Sequence, residues 1–257
     1  MKPDDLDALM RAGESYHNVR VPLGCYIVVR VDGRSFTRLT NEEYERPFDL
    51  AFHQAMVGTA RTLLTDLGGI FTCAHSDEIS VLLPHTWDNF DREVEKTVSI
   101  AAGTASARFT LSTQRFGAFD GRLWIGATDE QVVDYFRWRQ ADSLRGALNS
   151  MPYWALRRDG KNERQATAAL HKQGVAFKND LLFNYGINFN EMPVWQRRGT
   201  VLYWELYEKV GHNPITKEDV IAVRRRVRTD DEPPAGEAYG SLIRSLLAAP
   251  KVAEKEG

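Results

Sequence analysis

Residues 25–34 read CYIVVRVDGR, and residues 70–83 read IFTCAHSDEISVLL. In the first stretch, β-branched and aromatic residues run from 25 to 31 and stop at Asp32-Gly33-Arg34, which has turn chemistry, so a strand ends there. In the second, residues 70–74 and 78–83 read as two strands joined by a tight His75-Ser76-Asp77 connection, a hairpin. Between the two stretches, apolar residues recur at helical spacing from Pro47 through Phe48, Phe52, Ala55, Met56, Leu63 and Leu67, until Gly68-Gly69 stops them. A second helix is predicted from about Asp88, with Phe90, Val94, Val98, Ala101 and Ala105 on one stripe, and a strand over 122–127 closes the series. The order β-α-β-β-α-β predicts an α+β, ferredoxin-like domain, an antiparallel sheet with helices on one face.

That topology has a chemical consequence. The first and third strands are antiparallel neighbours, so Asp32 at the end of one should meet Asp77 and Glu78 at the start of the other. Carboxylates crowded together repel unless protonated or neutralised by a cation. With oxygen donors only, Mg²⁺ fits, taking one or two carboxylates and completing its shell with water and phosphate. Two ions about 4 Å apart suit phosphoryl or nucleotidyl transfer. The competing reading is structural: Asp-Gly is a common turn dipeptide and Ser-Asp a common hairpin tip.

Working outward, Asp120-Gly121-Arg122 repeats the turn motif, and Arg30, Arg34, Arg38 and Arg122 are either phosphate ligands or solvated surface arginines. The helix starting near Pro47 offers its N-terminus to an anion. No Walker A loop or dinucleotide fingerprint is present. Thr128 and Gln131 suggest a capping box opening a helix through Val132, Tyr135, Phe136 and Trp138, which Pro152 and Arg158-Asp159-Gly160 break. A polar helix is predicted over 162–171, a mixed aromatic and Asn-rich segment over 177–190, a strand over 200–207, an exposed linker over 229–237 and a short amphipathic stretch after it, with frayed last residues. Arg224 to Arg226 with Arg228 form the densest basic patch, a phosphate-contact candidate of low specificity.

The chain has 257 residues and is 43% hydrophobic and 26% charged, with a formal net charge of −2. This suits a globular protein of one or two domains and excludes a basic nucleic-acid coat; a polyanionic partner must be held by local patches. The acidic start, the short apolar runs and two cysteines, Cys25 and Cys73, without zinc spacing predict a cytoplasmic protein with no membrane span and no structural disulfide. Of the histidines, only His75 stands beside the proposed chemistry.

Six motifs, in order, resemble those of the tRNA-histidine guanylyltransferase superfamily: Arg30-Val31-Asp32-Gly33-Arg34-Ser35-Phe36, Ser76-Asp77-Glu78, Phe119-Asp120-Gly121-Arg122, Trp138-Arg139-Gln140-Ala141-Asp142, Lys178-Asn179-Asp180-Leu181-Leu182-Phe183 and Arg198-Gly199-Thr200-Val201. The resemblance spans roughly residues 20–207. It implies a polymerase-like palm over 1–135 and a mixed α/β, RNA- and activation-associated region over 136–257. It also implies two Mg²⁺ ions, tRNA and ATP, GTP or other NTPs as substrates, nucleotide addition at an RNA 5′ end, and a homotetramer. By the same resemblance Asp32, Asp77 and Glu78 are catalytic, with Asp32, Asp77 and the Gly33 carbonyl on the metal. Arg34, Ser35, Phe36, Arg46, Asp49, Ser76, Lys178 and Asn188 are implied to bind nucleotide, Arg46 standing where the family usually has Lys. Arg30 and Arg122 are implied to face triphosphate or the RNA end, while the aromatic, cationic and amide groups gathered at Trp138-Arg139-Gln140-Ala141-Asp142 make Arg139, Gln140 and Asp142 candidate RNA contacts in their own right, the competing reading being core aromatics among solvated polar groups.

One departure separates branches. Ser143-Leu144-Arg145-Gly146 occupies the stretch where eukaryotic members carry His-Ile-Asn-Asn, so the chain resembles the Thg1-like branch of template-dependent 3′-to-5′ polymerases that repair tRNA 5′ ends. Strict guanylate addition to tRNA-histidine is the alternative. A nucleotide cyclase shares palm topology, but the Gly-Gly-Asp-Glu-Phe signature is missing. An RNA-recognition module shares the strand order, yet residues 78–83 lack the aromatic and basic residues its third strand needs for stacking bases.

Overall fold

Along β1 (Tyr26–Gly33), Ile27, Val29 and Val31 alternate with Tyr26 and Val28, and both sets are buried. A strand apolar on both sides needs cover on both. The computed structural model, which describes residues 3–212 and 219–249, supplies it. The elements in chain order are α1 (Pro3–Arg11), β1, α2 (Phe36–Glu43), α3 (Leu50–Asp66), β2 (Phe71–His75), β3 (Glu78–Leu83), α4 (Val94–Thr113), β4 (Phe119–Gly126), α5 (Asp129–Arg158), α6 (Glu163–Leu170), α7 (Val175–Asn184), α8 (Val194–Arg198), β5 (Thr200–His212), β6 (Asp219–Asp230) and α9 (Gly236–Ala248).

The strands form one antiparallel sheet in the order β4-β1-β3-β2-β5-β6. Its first four strands have the expected ferredoxin-like order, with β1 and β3 central. The helices inside the β-α-β-β-α-β unit lie on one face as expected, and the following region covers the other. On one side α3 and α4 cover Ile27, Val29, Val31, Ile79 and Val81. On the other, Val132, Val133 and Phe136 of α5 and Tyr239 and Ile243 of α9 cover Val28, Phe71, Leu82 and Val201. The unbroken apolar run of residues 26–29 already carried this information, because a strand with one solvated face alternates.

Other boundaries moved for identifiable reasons. Thr128 caps α5, accepting from the Gln131 N–H at 3.3 Å, while the Gln131 side chain accepts from Ala127 N rather than closing the box on Thr128. Pro152 does not break α5, which runs through it for 30 residues. An internal proline costs roughly 3 kcal/mol; here it is offset by burial of Leu148, Met151, Pro152, Ala155 and Leu156 along the same stretch. Only Asp159-Gly160, with Gly160 at φ 86°, ends the helix. The basic patch lies on a strand: β6 pairs with β5 from His212↔Asp219 to Val201↔Asp230, so the predicted linker begins after Asp230 and the predicted strand over 200–207 continues to His212. The terminal residues expected to fray lie largely outside the described residues.

The N-terminal part of α5 packs on the sheet, whereas Ala147, Leu148, Met151 and Ala155 form a separate cluster with Leu182 and Phe189. One long helix therefore joins the sheet to the helical region of α6 and α7. Among the described residues, no helix is long and apolar enough to cross a membrane. Both cysteines are free thiols.

Candidate active site

The strand register brings the acids together as the topology required. Asp32 faces Glu78 across β1 and β3, and the Gly33 N–H donates to the Asp77 carbonyl at 3.0 Å. Asp32, Ser76, Asp77, Glu78 and Arg46 line one cavity of about 240 Å³, closed on its far side by Arg139, Asp142, Ser143, Gly146 and Ser150 of α5. Ser76, at φ 52°, makes the tight reversal that sets Asp77 at the hairpin tip.

The electrostatics separate the three acids. Burial raises the Asp77 pKa above the ordinary carboxylate range, and the neighbouring Asp32 raises it further. Burial likewise raises that of Asp32, with added repulsion from Asp120, its register partner on β4, partly opposed by Arg122, Arg30 and Arg139. Glu78 is also raised by burial, but it has a dedicated partner. Arg139 grips it in a two-pronged pair, Nε to Oε1 at 2.7 Å and Nη2 to Oε2 at 2.5 Å, and also donates to Asp142 at 2.8 Å. Arg30 lies 3.9 Å from the same carboxylate. Asp32 and Asp77 form no direct ion pair among the described residues; arginines at a distance relieve each only in part, Arg46 acting on Asp77, which leaves a further cation something to neutralise.

The remaining candidates fall into groups. Arg46 follows Asp77 into the cavity, donates to Thr40 Oγ1 at 2.6 Å and lies over the Trp154 ring at 5.2 Å. Asp49 is engaged by the backbone, accepting from Phe52 N at 2.9 Å and Glu45 N at 3.1 Å. This corrects the anion site expected at that helix: α3 starts at Leu50, and its N-terminus is already capped by the protein's own carboxylate. Arg34 and Ser35 are exposed beside the acids, with Arg34 N donating to Ala118 O at 2.8 Å. The Phe36 ring is buried among Phe52, Phe109 and Phe119, leaving only its backbone for a ligand.

Lys178 lies in an adjoining cavity, whereas Asn188 lines neither and caps the short turn Phe189–Glu191. Arg122 pairs with Asp120 on its own strand at 2.9 Å. Gln140 donates to Pro234 O at 2.9 Å, tying α5 to the segment before α9. Two features escaped the sequence reading: Asp120 as a third acid beside Asp32, which the repeated Asp-Gly-Arg could have signalled, and Arg139 as the clamp on Glu78. Burial lowers the His75 pKa to about 4, so the ring stays neutral, with Nε2 3.4 Å from the Gln196 carbonyl.

Gly33 cannot carry a side chain here. A Cβ would sit 2.4 Å from Cγ of Phe36, whose ring is hemmed in by three other aromatics. Gly33→Ala is expected to cost about 1–3 kcal/mol of stability through overpacking, read from the urea midpoint.

An antiparallel sheet that gathers two carboxylates without direct ion partners at one end of its central strands, one on β1 and one in the β2–β3 connection, can receive a divalent cation of the kind that assists phosphoryl and nucleotidyl transfer. The sequence profile described as Thg1, tRNAHis guanylyltransferase, matches residues 7–136, and that of the Thg1 C terminal domain matches residues 130–234. The chain belongs to the tRNAHis guanylyltransferase family, whose members are nucleotidyltransferases. It is 31% identical over 208 residues to the probable tRNA(His) guanylyltransferase of Homo sapiens, covering 76% of this chain and 68% of that one. It is 30% identical over 223 residues to the tRNA(His) guanylyltransferase of Debaryomyces hansenii, covering 80% and 84%. In fold it is similar to a bacterial Thg1-like protein solved in complex with GTP, with TM-score 0.71, 24% identity and coverage of 96% and 100%. It is also similar in fold to the Saccharomyces cerevisiae enzyme, with TM-score 0.67, 22% identity and coverage of 81% and 92%.

Proposed function

We propose that this protein extends the 5′ end of tRNA by template-directed 3′-to-5′ nucleotide addition, with GTP, ATP or other NTPs as substrates. The observation that carries the reading is the pair Asp32 and Asp77, which share one cavity and raise each other's cost of ionisation, nearby arginines relieving them only in part and without a direct ion pair. In this reading a 5′-monophosphate oxygen attacks the α-phosphorus of ATP or GTP and pyrophosphate leaves; the 3′-hydroxyl of the incoming NTP then attacks the activated 5′ phosphorus, and the activating nucleotide leaves as its monophosphate. The palm over 1–135 carries this chemistry, and residues 136–257 serve RNA binding and activation.

The donor set fits Mg²⁺. Among the described residues there is no group of three or more His, Cys, Asp or Glu arranged to hold a metal. Two carboxylates suffice for an ion that fills the rest of its shell with water and phosphate oxygens. Asp32, Asp77 and the Gly33 carbonyl would hold two such ions, which when bound supply Lewis-acid stabilisation of charge on the transferring phosphate. Glu78, already paired with Arg139, fixes the strand edge and helps keep α5 over the cavity. Ser76, the backbone of residues 34–36 and Arg46 orient the nucleotide. That solved relatives are complexes with GTP and with ATP supports nucleotides of both kinds as ligands.

The alternative, strict guanylate addition to tRNA-histidine, is favoured by the names of the curated relatives. The broader template-directed reading is favoured by residues 143–146, two of which, Ser143 and Gly146, line the acid cavity without the eukaryotic element. Incubation with Mg²⁺, labelled NTPs and a tRNA lacking its first nucleotide decides. The expected result is label at the 5′ end whose base follows the opposing template base. Guanylate whatever the opposing base would establish the alternative, and no 5′ label would refute both.

A further inference from the structure

Of the six tryptophans, Trp138 alone is exposed, at 51%, while the other five are buried or half-buried. That exposure removes the competing reading of this residue as core. The ring is nonetheless held fast from behind. It meets Tyr135 edge to face at 5.7 Å, and Tyr135, itself buried, packs on Trp124 at 4.8 Å and shares a 3.0 Å hydrogen bond with Ser80 Oγ. The Arg139 guanidinium that clamps Glu78 lies 4.4 Å from the Trp138 ring centroid, and that of Arg30 lies 5.9 Å from it. Arg30 and Asp32 share one face of β1, about 7 Å apart along the strand. Trp138 does not line the acid cavity, but Arg139 borders both, so the ring stands just outside the cavity on the side of Arg30.

A large aromatic surface left in water, fixed by its neighbours and accompanied by guanidinium groups, is what an unpaired or terminal nucleobase stacks on. We propose that Trp138 is the stacking platform for the terminal nucleobase at the 5′ end of the RNA, seated so that its 5′ phosphate reaches Asp32 past Arg30. The occupant is the RNA and not the free nucleotide, because the NTP is oriented inside the cavity by Ser76 and Arg46, whereas the platform lies on open surface where the end of a polymer has room. The inference rests on the 5′-extension reading and deepens it, naming the group that holds the base to which the next nucleotide is joined.

A double-mutant cycle between protein and RNA tests it by binding alone. Two 5′-truncated, 5′-monophosphorylated tRNAs, identical except that one lacks the base of its first nucleotide, are titrated into wild type, Trp138→Phe and Trp138→Leu, each shown by melting to be folded. Trp138→Phe keeps a smaller ring, and Trp138→Leu keeps apolar cover for Arg139 without a π-face. Wild type is expected to prefer the intact end by about fivefold or more, Trp138→Phe to keep most of that preference and Trp138→Leu to lose most of it, with GTP affinity unmoved in both variants. No preference in wild type, or an equal preference in Trp138→Leu, would overturn the platform. A residue that merely covers Arg139 gives the second of these results, since its loss weakens both RNAs alike. A loss confined to GTP would overturn it too, assigning the ring to the free nucleotide. Failure of the 5′-extension reading shows differently, as wild-type protein that distinguishes the two RNAs yet adds no nucleotide to either.

Discussion

Asp77→Asn is expected to abolish nucleotide addition, by about a thousandfold or more, roughly 4 kcal/mol of transition-state stabilisation, while leaving the protein at least as stable as before at neutral pH. The second half of this expectation follows from the sign of the pKa shift. Burial and Asp32 raise the folded-state pKa of Asp77 above its ordinary value of 3.8. The folded state therefore binds the proton more tightly than the unfolded chain does, and the contribution of this group to stability is lost as pH rises through the interval between 3.8 and the raised value. Above that interval the charged carboxylate works against folding, and an amide of the same shape removes the penalty. Asp32→Asn is expected to behave alike, because burial and Asp120 raise its pKa too. Parallel thermal unfolding and 5′-addition assays at neutral pH check this: inactive and stable is the expected combination. An inactive protein that has lost stability would point to a structural role for these acids.

Arg139→Ala is expected to do the reverse, damaging the fold first. The Arg139 side chain is 10% exposed and that of Glu78 is 18% exposed. Truncation leaves the glutamate buried without its two-pronged partner, a change that costs about 3–5 kcal/mol when one member of a buried pair is removed. For a chain of this size the melting temperature should fall by on the order of 10 °C. Without Arg139, burial acts on Glu78 unopposed by its main counter-charge, so its folded-state pKa rises further. Protonation then relieves the deficit, and the gap between variant and wild type should narrow from pH 8 to pH 5 in a melting series. A gap independent of pH would mean that lost packing against Trp138, over whose ring the guanidinium sits at 4.4 Å, dominates instead.

These two variants mark where sequence reading succeeded and where it stopped. Strand order and the meeting of Asp32 with Asp77 were legible because period-two apolar runs, an Asp-Gly turn and a short hairpin connection are local signals, and topology does the rest. The second helical layer was legible in principle, in the unbroken apolar run of 26–29, but it takes knowledge of α9, more than two hundred residues away, to see what covers it. Arg139 looked like an RNA ligand because a sequence shows charge without showing partners; only the crossing of α5 over β3 matches it to Glu78. Arg224, Arg226 and Arg228 looked like one basic run, yet β6 places them on one face beside Tyr203, Glu205 and Tyr207, where Glu205 pairs with two of them. Pro152 misled for a similar reason, since tertiary packing along α5 outweighs the local cost of the ring.

The claim beneath the rest is that Asp32 and Asp77 leave their charge unpaired in order to hold divalent cations. Manganese, an oxygen-seeking stand-in for magnesium, can be titrated into the protein with GTP and followed by electron paramagnetic resonance. Wild-type protein should bind it, and Asp32→Asn and Asp77→Asn, folded by the melting test, should each lose that binding. Equal manganese binding by wild type and both variants would contradict the account.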